Sequence, residues 1–487
     1  MRQNTIGKTL CFFALTLCLM LFSALSLHAA KSITANVMAP LHIDLTNQSD
    51  VAAFQSQMTS VKNIGANAVS VDVWWGLVEG QADQKFDWSY YDSVFQMIVN
   101  SGLKVQPIMS FHQCGGNVGD TYDMPIPNWI WQIAGPGGKY ISEQYDPGNP
   151  EIVSVWAQNN QDVLEQYYQF MDAFEQHFAK YAGNIQAINV SCGPAGELRY
   201  PSYNSYSANG KTWGRGYPTR GYLQCYSAQA VSSFQNAMAK KYGNISSLNN
   251  AWGTSLSSFS SVNPPGDGDD FFQITNPKAY INGQYGKDFI EWYNSELVRH
   301  GQEMLSQAIS AFDKQFVGIE LEIKIPGVHW EMSDPNMPRS AEVCAGLLAN
   351  NFYIFGRQNN PPGGSEYLPI LNMVRQLENS TGRNMLVYFT CLEMSNGDLN
   401  NSPYSQASAL VFWVGSNAGN IGLTIKGENA LSPNGGSTWD QGGFWWNINN
   451  ALAYSSYTGI TILRIGDVSS GQQYYNFQRL INNYSTK

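Results

Sequence analysis

The sequence predicts an α/β fold built from repeated strand–helix units. Hydrophobic segments with strand character recur along the chain, and most of them alternate with segments of helical period. The eight candidate strands are Ala35–Leu41, Ala68–Trp75, Lys104–His112, Ala187–Ser191, Val317–Lys324, Asn384–Thr390, Ile421–Gly427 and Gly459–Arg464. Eight strands with helical connections favour a (β/α)8 TIM barrel, whose active site is built from loops at the carboxyl ends of the strands.

The spacing of apolar residues supports the helical connections. Between the second and third candidate strands, one helical face carries Tyr91, Val94, Phe95 and Ile98, and Gly102 follows as a stop signal. Past Arg464, where the last candidate strand ends, the chain continues only briefly, which predicts one closing helix.

Two connections are longer than a barrel needs, at residues 113–186 and 198–316. The second contains the turn-rich stretch NPPGDGDD and helical patterns around Ala228–Tyr242 and Asp288–Ser310. Long excursions from this end of a barrel commonly pack together as a lobe over the carboxyl-terminal face. We therefore expect residues 31–487 to form a single barrel domain without an appended binding module.

Residues 1–30 are typical of a secretory signal peptide. Arg2 and Lys8 precede an apolar run from residue 10 to 27, which ends in the small residues Ala29 and Ala30. The run is nearly long enough to span a bilayer, so an uncleaved anchor is the alternative. The basic start and small-residue end favour cleavage near Ala30, and hence a secreted, extracellular protein with no membrane contact after cleavage.

The composition excludes some partners and favours one. The net charge is −10 and no stretch concentrates Lys and Arg, which argues against nucleic acid or an anionic membrane. Aromatic residues make up 13% of the chain, with 14 Trp and 27 Tyr. Such rings suit the apolar faces of sugars, although they also simply fill a large core.

The cysteines do not form a disulfide framework. Two of them lie in the signal segment, and the other five are Cys114, Cys192, Cys225, Cys344 and Cys391. Five is an odd and sparse number, so at most two bridges can form and most of these thiols are expected to be buried and inert.

Reactive side chains follow the hydrophobic part of most candidate strands. They are Asp72, His112, Glu197, Lys324, Thr390, Glu428 and Arg464. An open, doubly wound sheet also collects polar residues at its strand ends, but it rarely uses so many strands.

Glu197 and Glu428 stand in glycine-containing turns after different strands. Two carboxylates across a barrel mouth are what cleavage of a glycosidic bond requires, although a single such Glu is more often a surface or salt-bridged residue.

Taken together, the motifs resemble one family. VSVDVWWG, SFHQCGGNVGD, GPAGELRYPSY, KIPGVHW, FTCLEM, GENAL and the LR before GDV occur in the order seen in beta-amylases of glycoside hydrolase family 14. The similarity covers essentially the whole mature chain and is strongest to the bacterial branch. The short segment after Arg464 predicts that no C-terminal starch-binding module follows this single catalytic domain. The implied activity is inverting hydrolysis of α-1,4-glucosidic bonds from non-reducing ends, releasing β-maltose.

The resemblance also implies residue roles. Glu197 corresponds to the general acid and Glu428 to the general base, and inversion requires the two carboxyl groups to stand roughly 6.5–9.5 Å apart. Glu393, in the loop TCLEM, corresponds to a support residue. The implied sugar contacts are Asp72, His112, Asp120, Lys324, His329, Thr390, Asn429, Ala430 and Arg464. Starch, maltooligosaccharides and maltose are the implied partners of a monomer that requires no cofactor.

A structural calcium is the one metal that the resemblance implies. Glu79, Asp83, Gln84 and Glu165 fall at the matching positions and offer the oxygen atoms that calcium prefers. Tyr168 stands where a further carboxylate is expected, which lowers the ligand charge. A solvated acidic loop is the alternative, and no His/Cys spacing suits zinc.

The stretch FHQCGGNVGD admits several interpretations from its residues alone. It lacks the following helix of a phosphate cradle, and adjacency to His112 does not make Cys114 a nucleophile. We predict a mobile flap over the sugar site, with His112 fixed at its base and Asp120 on the moving part. Relatives tether this loop by a disulfide, for which Cys114 lacks the local partner.

Two other functions remain open on the sequence alone. Other sugar-cleaving barrels place carboxylates after the same strands, so a retaining glycosidase is one alternative. A non-catalytic carbohydrate-binding or storage protein on the same barrel is the other.

Overall fold

The structure is a computed structural model that describes residues 32–115, 120–143, 148–203, 206–208, 211–213, 221–273, 276, 282–330, 340–349, 367–398 and 401–484. The predicted signal peptide lies outside these residues, as do residues 116–119 of the predicted flap. In the described part of the chain, no helix combines the length and apolar character that a bilayer crossing requires.

Eight parallel strands close into a barrel. They are β1 (Thr34–Met38), β2 (Ala68–Trp74), β3 (Lys104–Ser110), β4 (Ala187–Val190), β5 (Glu320–Ile325), β6 (Met385–Phe389), β7 (Thr424–Glu428) and β8 (Tyr457–Ile462). Each strand pairs with the strands before and after it in sequence, and β8 closes on β1 through pairs such as Val37 with Ile462. The predicted (β/α)8 TIM barrel is therefore confirmed.

Helices surround the barrel and fill its long connections. They are α1 (Gln48–Asn63), α2 (Trp75–Glu79), α3 (Ser89–Asn100), α4 (Ile130–Ala134), α5 (Asn160–Phe178), α6 (Ala228–Tyr242), α7 (Ile245–Trp252), α8 (Gly268–Phe271), α9 (Gln284–Ala311), α10 (Ser340–Cys344), α11 (Leu368–Thr381), α12 (Ala407–Asn420), α13 (Phe444–Tyr454) and α14 (Gly471–Tyr484). An antiparallel hairpin joins Tyr206–Ala208 to Lys211–Trp213. The helix α14 is the predicted closing helix.

The predicted strands are all present, with shifted ends. The strand β7 begins at Thr424 rather than at Ile421, because Gly422 adopts a φ of 70° and turns the chain before the strand. The predicted strand ends Trp75, His112 and Arg464 lie just beyond their strands, and Trp75 already begins the helix α2. These residues therefore belong to the loops of the carboxyl-terminal face.

The two predicted excursions each end in a helix of the barrel itself. The helix α5 leads into β4 and buries Tyr167, Phe170 and Phe174 along one face. The helix α9 leads into β5, and Phe312 at its end contacts Phe174 with ring centroids 6.5 Å apart. The two predicted connections therefore each combine a barrel helix with an excursion, at residues 113–159 and 198–283.

The apolar spacing predicted for the helix after β2 is also confirmed. All four predicted face residues of α3 are buried, and Gly102 follows the helix with a φ of 80°. Because L side chains rarely adopt a positive φ, a glycine suits this chain reversal.

Polar side chains occupy two successive layers inside the barrel. Residues two apart on a strand share a face, so Glu322 and Lys324 of β5 project the same way, as do Lys426 and Glu428 of β7. The layer nearer the strand starts, here named the lower cluster, consists of Asn36, Ser70, Gln106, Glu322 and Lys426. The other layer opens into the pocket described next.

Candidate active site

A single pocket at the carboxyl ends of the strands gathers every residue predicted to cleave or contact sugar. They are Asp72, His112, Asp120, Glu197, Lys324, His329, Thr390, Glu428, Asn429, Ala430 and Arg464. These residues are separated by long stretches of chain, and barrel closure brings them together. Their placement agrees with the sequence prediction, whereas their roles are a matter for experiment.

Glu197 is held by a tight turn after β4. The turn Pro194–Gly196 contains Ala195 and Gly196 at positive φ values of 56° and 79°. A Cβ atom on Gly193 would stand only 2.3 Å from the carbonyl oxygen of Glu197, so a glycine is needed there. The backbone N–H of Leu198 then donates to the carbonyl of Lys324 at 2.8 Å, which fastens this loop to β5.

The Glu197 carboxyl lies in a nearly closed environment. Burial raises the pKa of this group above its ordinary value, and the charge and hydrogen bond of Arg199 oppose that rise. Arg199 Nε donates to Glu197 Oε2 at 2.8 Å. A buried carboxyl with a raised pKa is suited to carry a proton near neutral pH.

Glu428 is the last residue of β7 and is paired with a cation. Its Oε2 lies 2.8 Å from Lys324 Nζ, and both side chains are buried. Burial alone would lower the pKa of Lys324, but Glu428 and Asp72 hold it above its ordinary value. Lys324 therefore places a positive charge directly against the Glu428 carboxyl and fixes its position in the pocket.

Asp72 and Arg464 face the pocket from β2 and from the loop after β8. Ser110 Oγ donates to Asp72 Oδ1 at 2.9 Å. Burial raises the pKa of Asp72, and the positive charges of Arg464 and Lys324 oppose the rise. A hydrogen bond outside the pocket layer helps to position Arg464, because its Nη1 donates to the carbonyl of Ala39 at 3.2 Å.

The two histidines of the pocket are neutral at physiological pH. Burial lowers the pKa of His112 to about 3, aided by the charges of Lys324 and Arg199, and burial lowers that of His329 to about 4. Nδ1 of His112 lies 2.8 Å from Ser191 Oγ. A neutral imidazole that uses one nitrogen internally keeps the other for a sugar hydroxyl.

The segment after Glu428 is braced by its own hydrogen bonds. Asn429 Nδ2 donates to the carbonyls of Leu431 and Leu463, both at 2.9 Å, so its amide hydrogens are already used. The backbone N–H groups of Ala430 and Leu431 donate to Glu393 at 2.8–3.1 Å. This contact agrees with the predicted support role of Glu393 and leaves the backbone carbonyl of Ala430 for a ligand.

Thr390 also uses its side chain within the protein, because its Oγ1 accepts from the backbone N–H of Gly327 at 2.6 Å.

The prediction did not single out the aromatic walls of the pocket, Trp74, Tyr203 and Trp330. Tyr203 and Trp330 meet edge-on with ring centroids 4.8 Å apart. All three rings stand inside quoted motifs, VSVDVWWG, GPAGELRYPSY and KIPGVHW, and that was the available signal.

The described base of the predicted flap is pinned without a disulfide. Cys114 and Met124 exchange backbone hydrogen bonds at 2.9 and 3.2 Å, and Cys114 Sγ donates to the carbonyl of Tyr122 at 3.4 Å. No disulfide joins the five cysteines of the described residues, and all five are buried, as predicted. Burial raises the pKa of the Cys114 thiol, which makes it a poor nucleophile.

The predicted calcium ligands form hydrogen bonds with neighbouring groups. Glu79 is buried, and it accepts from Trp75 Nε1 and from the backbone N–H of Gln84, both at 2.7 Å. The side-chain amide of Gln84 donates to Asp83, and Glu165 accepts from Gln169 at 3.1 Å. Among the described residues, no group of three or more His, Cys, Asp or Glu is placed to hold a metal ion. The calcium site implied by the resemblance therefore stays a prediction.

A (β/α)8 barrel whose strand-end pocket combines carboxyl groups from different strand ends with aromatic walls is typical of the carbohydrate-cleaving barrels. The model of Glycosyl hydrolase family 14 matches residues 36–486. The chain therefore belongs to this family and is a glycoside hydrolase of the beta-amylase type, as the motifs predicted.

Relatives with established names agree. The chain is 37% identical to the thermophilic beta-amylase of Thermoanaerobacterium thermosulfurigenes over 464 residues, covering 95% of this chain and 76% of that protein. It is 38% identical to the beta-amylase of Cytobacillus firmus, covering 90% and 83%. The crystal structure of the catalytic domain of the beta-amylase from Paenibacillus polymyxa matches with a TM-score of 0.77 and 35% identity, covering 94% of this chain and 100% of that domain.

Proposed function

We propose that the chain is a secreted, monomeric enzyme that hydrolyses the α-1,4-glucosidic bonds of starch and related glucans. It acts from non-reducing ends with inversion and releases β-maltose. The observation that carries this proposal is that one strand-end pocket brings together two carboxyl groups from different barrel segments, each fixed by its own cation. Arg199 donates to Glu197, and Lys324 lies 2.8 Å from Glu428.

In the proposed reaction, Glu197 donates its proton to the glycosidic oxygen as the bond from that oxygen to the anomeric carbon breaks. Glu428 removes a proton from a water molecule, whose oxygen bonds to the anomeric carbon from the opposite face of the ring. The product therefore has the opposite anomeric configuration. Exchange with solvent then returns a proton to Glu197 and removes one from Glu428.

The remaining polar groups of the pocket suit the binding of a glucan chain. Asp72 offers carboxylate oxygens to sugar hydroxyls, and Lys324 and Arg464 offer N–H donors. Trp74, Tyr203 and Trp330 add flat apolar surfaces for the C–H faces of the rings. This combination of aromatic walls and hydroxyl-binding groups favours a neutral polysaccharide over a charged ligand.

Product analysis by ¹H NMR on maltoheptaose tests the proposal in one experiment. We expect β-maltose as the first product, before mutarotation. The enzyme should shorten the substrate by one maltose unit at a time. Initial α-maltose would instead establish a retaining glycosidase. Binding of maltoheptaose without release of reducing sugar would establish a non-catalytic binding protein.

Secretion has its own test, because it depends on residues 1–30. We expect expression in a bacterial host to give extracellular protein whose N-terminus begins near residue 31. Retention of the full-length chain in the membrane fraction would show an uncleaved anchor instead.

A further inference from the structure

We propose that Arg199 is a positioning residue for Glu197, which fixes the catalytic proton on one carboxyl oxygen and sets the alkaline limit of activity. This inference rests on the proposed function, in which Glu197 is the general acid. Arg199 itself has no role in the reaction proposed above.

The guanidinium of Arg199 is immobilised from several sides. Its side chain is only 1% exposed, whereas that of Glu197 is 13% exposed. Its Nη1 donates to the carbonyl of Tyr200 at 3.3 Å, and its central carbon lies 4.2 Å from the centre of the Tyr203 ring. A buried, planar cation held in this way presents its N–H groups in a fixed direction.

The hydrogen bond from Arg199 distinguishes the two oxygens of the Glu197 carboxyl. Oε2 accepts from Arg199 Nε at 2.8 Å, so the lone pairs of that oxygen face a cation. A proton on Oε2 would meet this N–H, and the acidic proton is therefore directed to Oε1. Because Arg199 engages Oε2, Oε1 is the oxygen left to carry the proton to a glycosidic bond in the pocket.

The same contact adjusts the strength of the acid. Burial raises the pKa of Glu197, and without an opposing charge the carboxyl would hold its proton too tightly to donate it readily. The positive charge of Arg199 favours the carboxylate that forms when the proton leaves. An opposite charge at this distance typically lowers a carboxyl pKa by about 1–3 units.

Other charged and titratable groups also face this pair, and they come from several elements. Lys324 on β5 and Glu428 on β7 act on Glu197 in opposite directions. The remaining ones are Tyr203 and Glu151 beside Arg199, His112 at the end of β3 and Cys391 after β6. Among them, Arg199 makes the hydrogen bond to the carboxyl and lowers its pKa most strongly, so its removal should have the largest effect on the alkaline limb.

The test is the pH dependence of kcat/KM and kcat on maltoheptaose for R199Q and R199M. Loss of the positive charge raises the pKa of Glu197, so Glu197 keeps its proton to higher pH. We therefore expect the alkaline limb to move upward by about 1 pH unit or more, while kcat at the optimum falls about tenfold because the acid is weaker. R199M fills the same buried space with an apolar chain. Its pH profile provides the test if the glutamine variant does not fold.

Charge-retaining and matched variants complete the design. R199K keeps a cation beside Glu197 and should return the alkaline limb to near its original position with kcat still reduced. R383Q removes another buried guanidinium, which donates to the carbonyls of Phe312, Phe316 and Ile319. It should leave the alkaline limb unchanged.

The outcomes separate this inference from the proposed function. A wild-type alkaline limb in R199Q or R199M, or an equal upward shift in R199K or R383Q, overturns the role of Arg199. If E197Q is inactive while the limb of R199Q stays in place, only this inference fails. If E197Q keeps near-normal kcat, the assignment of the general acid fails first.

Discussion

The barrel interior contains two polar layers that the same strands supply, and they differ in what the polar groups face. In the lower cluster, Lys426 Nζ contacts Glu322 at 3.3 Å, and Gln106 Nε2 donates to the other oxygen of Glu322 at 2.5 Å. Gln106 in turn accepts from Ser70 and Asn36 at 2.5 and 2.9 Å. The polar groups of the lower cluster therefore form hydrogen bonds and ion pairs with one another.

In the layer of the pocket, Lys324 and Glu428 form a similar buried pair, but the layer opens to a ligand-sized space. Each of these residues lies two positions further along the strand than a member of the lower cluster. A buried charge in this barrel is thus no sign of function by itself. The position along the strand decides whether it holds the barrel together or reaches a substrate.

The largest expected effect is a loss of kcat when a carboxylate of the pocket layer is replaced, compared with one of the lower cluster. We expect E197Q and E428Q each to lower kcat by about 10²–10⁴-fold or more, because proton transfer is lost while the shape of the pocket is kept. Maltose binding, measured by calorimetry, should stay largely intact. Turnover is followed by the release of reducing sugar from soluble starch.

E322Q is the control for these variants, since Glu322 is a fully buried barrel glutamate that belongs to the lower cluster. Its kcat should remain within about twofold of the parent enzyme, a free-energy change well below that of lost acid–base catalysis. Near-normal kcat in E197Q or E428Q would remove that residue from the mechanism. A comparable loss in E322Q would show that the two layers are not functionally distinct.

The second prediction concerns stability. K426M removes the cation that lies 2.7 Å from Glu320 and 3.3 Å from Glu322 and leaves buried negative charge unpaired. The free energy of unfolding should fall by about 3 kcal/mol, measured by urea denaturation, with kcat unchanged at 25 °C. The double variant K426M/E322Q should recover part of the loss. A double variant less stable than K426M would contradict the pairing.

Sequence reasoning was most successful where one local signal sufficed. The barrel strands are hydrophobic runs, and a reactive polar residue follows the hydrophobic part of seven of the eight, so the strands and Glu197 and Glu428 could be found without a structure. Lys426 and Glu322 were not singled out, although they lie on the same strands. They pair with each other across β5 and β7, and Gln106 of β3 contacts Glu322, so only closure of the barrel shows which groups meet.

Side-chain contacts at short range were equally hidden. Arg199 was visible beside Glu197 in the motif, but its hydrogen bond to Oε2 depends on the reversal at Ala195 and Gly196. The calcium ligands are a different case. Matching positions suggested a metal site, and the structure adds that Glu79 accepts hydrogen bonds from Trp75 and Gln84, while the site itself stays a prediction.

The third prediction tests the support of the loop after Glu428. E393A leaves the backbone N–H groups of Ala430 and Leu431 without their acceptor, and a buried donor left unpaired costs about 1–3 kcal/mol. We expect kcat/KM on maltoheptaose to fall about tenfold as the loop shifts. E378A, on the outer helix α11, should leave kcat/KM unchanged. Full activity in E393A would show that the loop holds its shape without this residue.

The smallest expected effect concerns the base of the predicted flap. His42 stacks between Tyr90 and Tyr122, with ring centroids 4.9 and 4.5 Å away and nearly parallel planes. Such aromatic contacts contribute about 0.5–1.5 kcal/mol each, so H42A should raise KM for maltoheptaose by about 2–10-fold with little change in kcat. H42F keeps a flat ring between the two tyrosines and should keep the original KM. If H42A and H42F have the same KM as the parent, the stack does not hold the flap, and the backbone pairing of Cys114 with Met124 suffices.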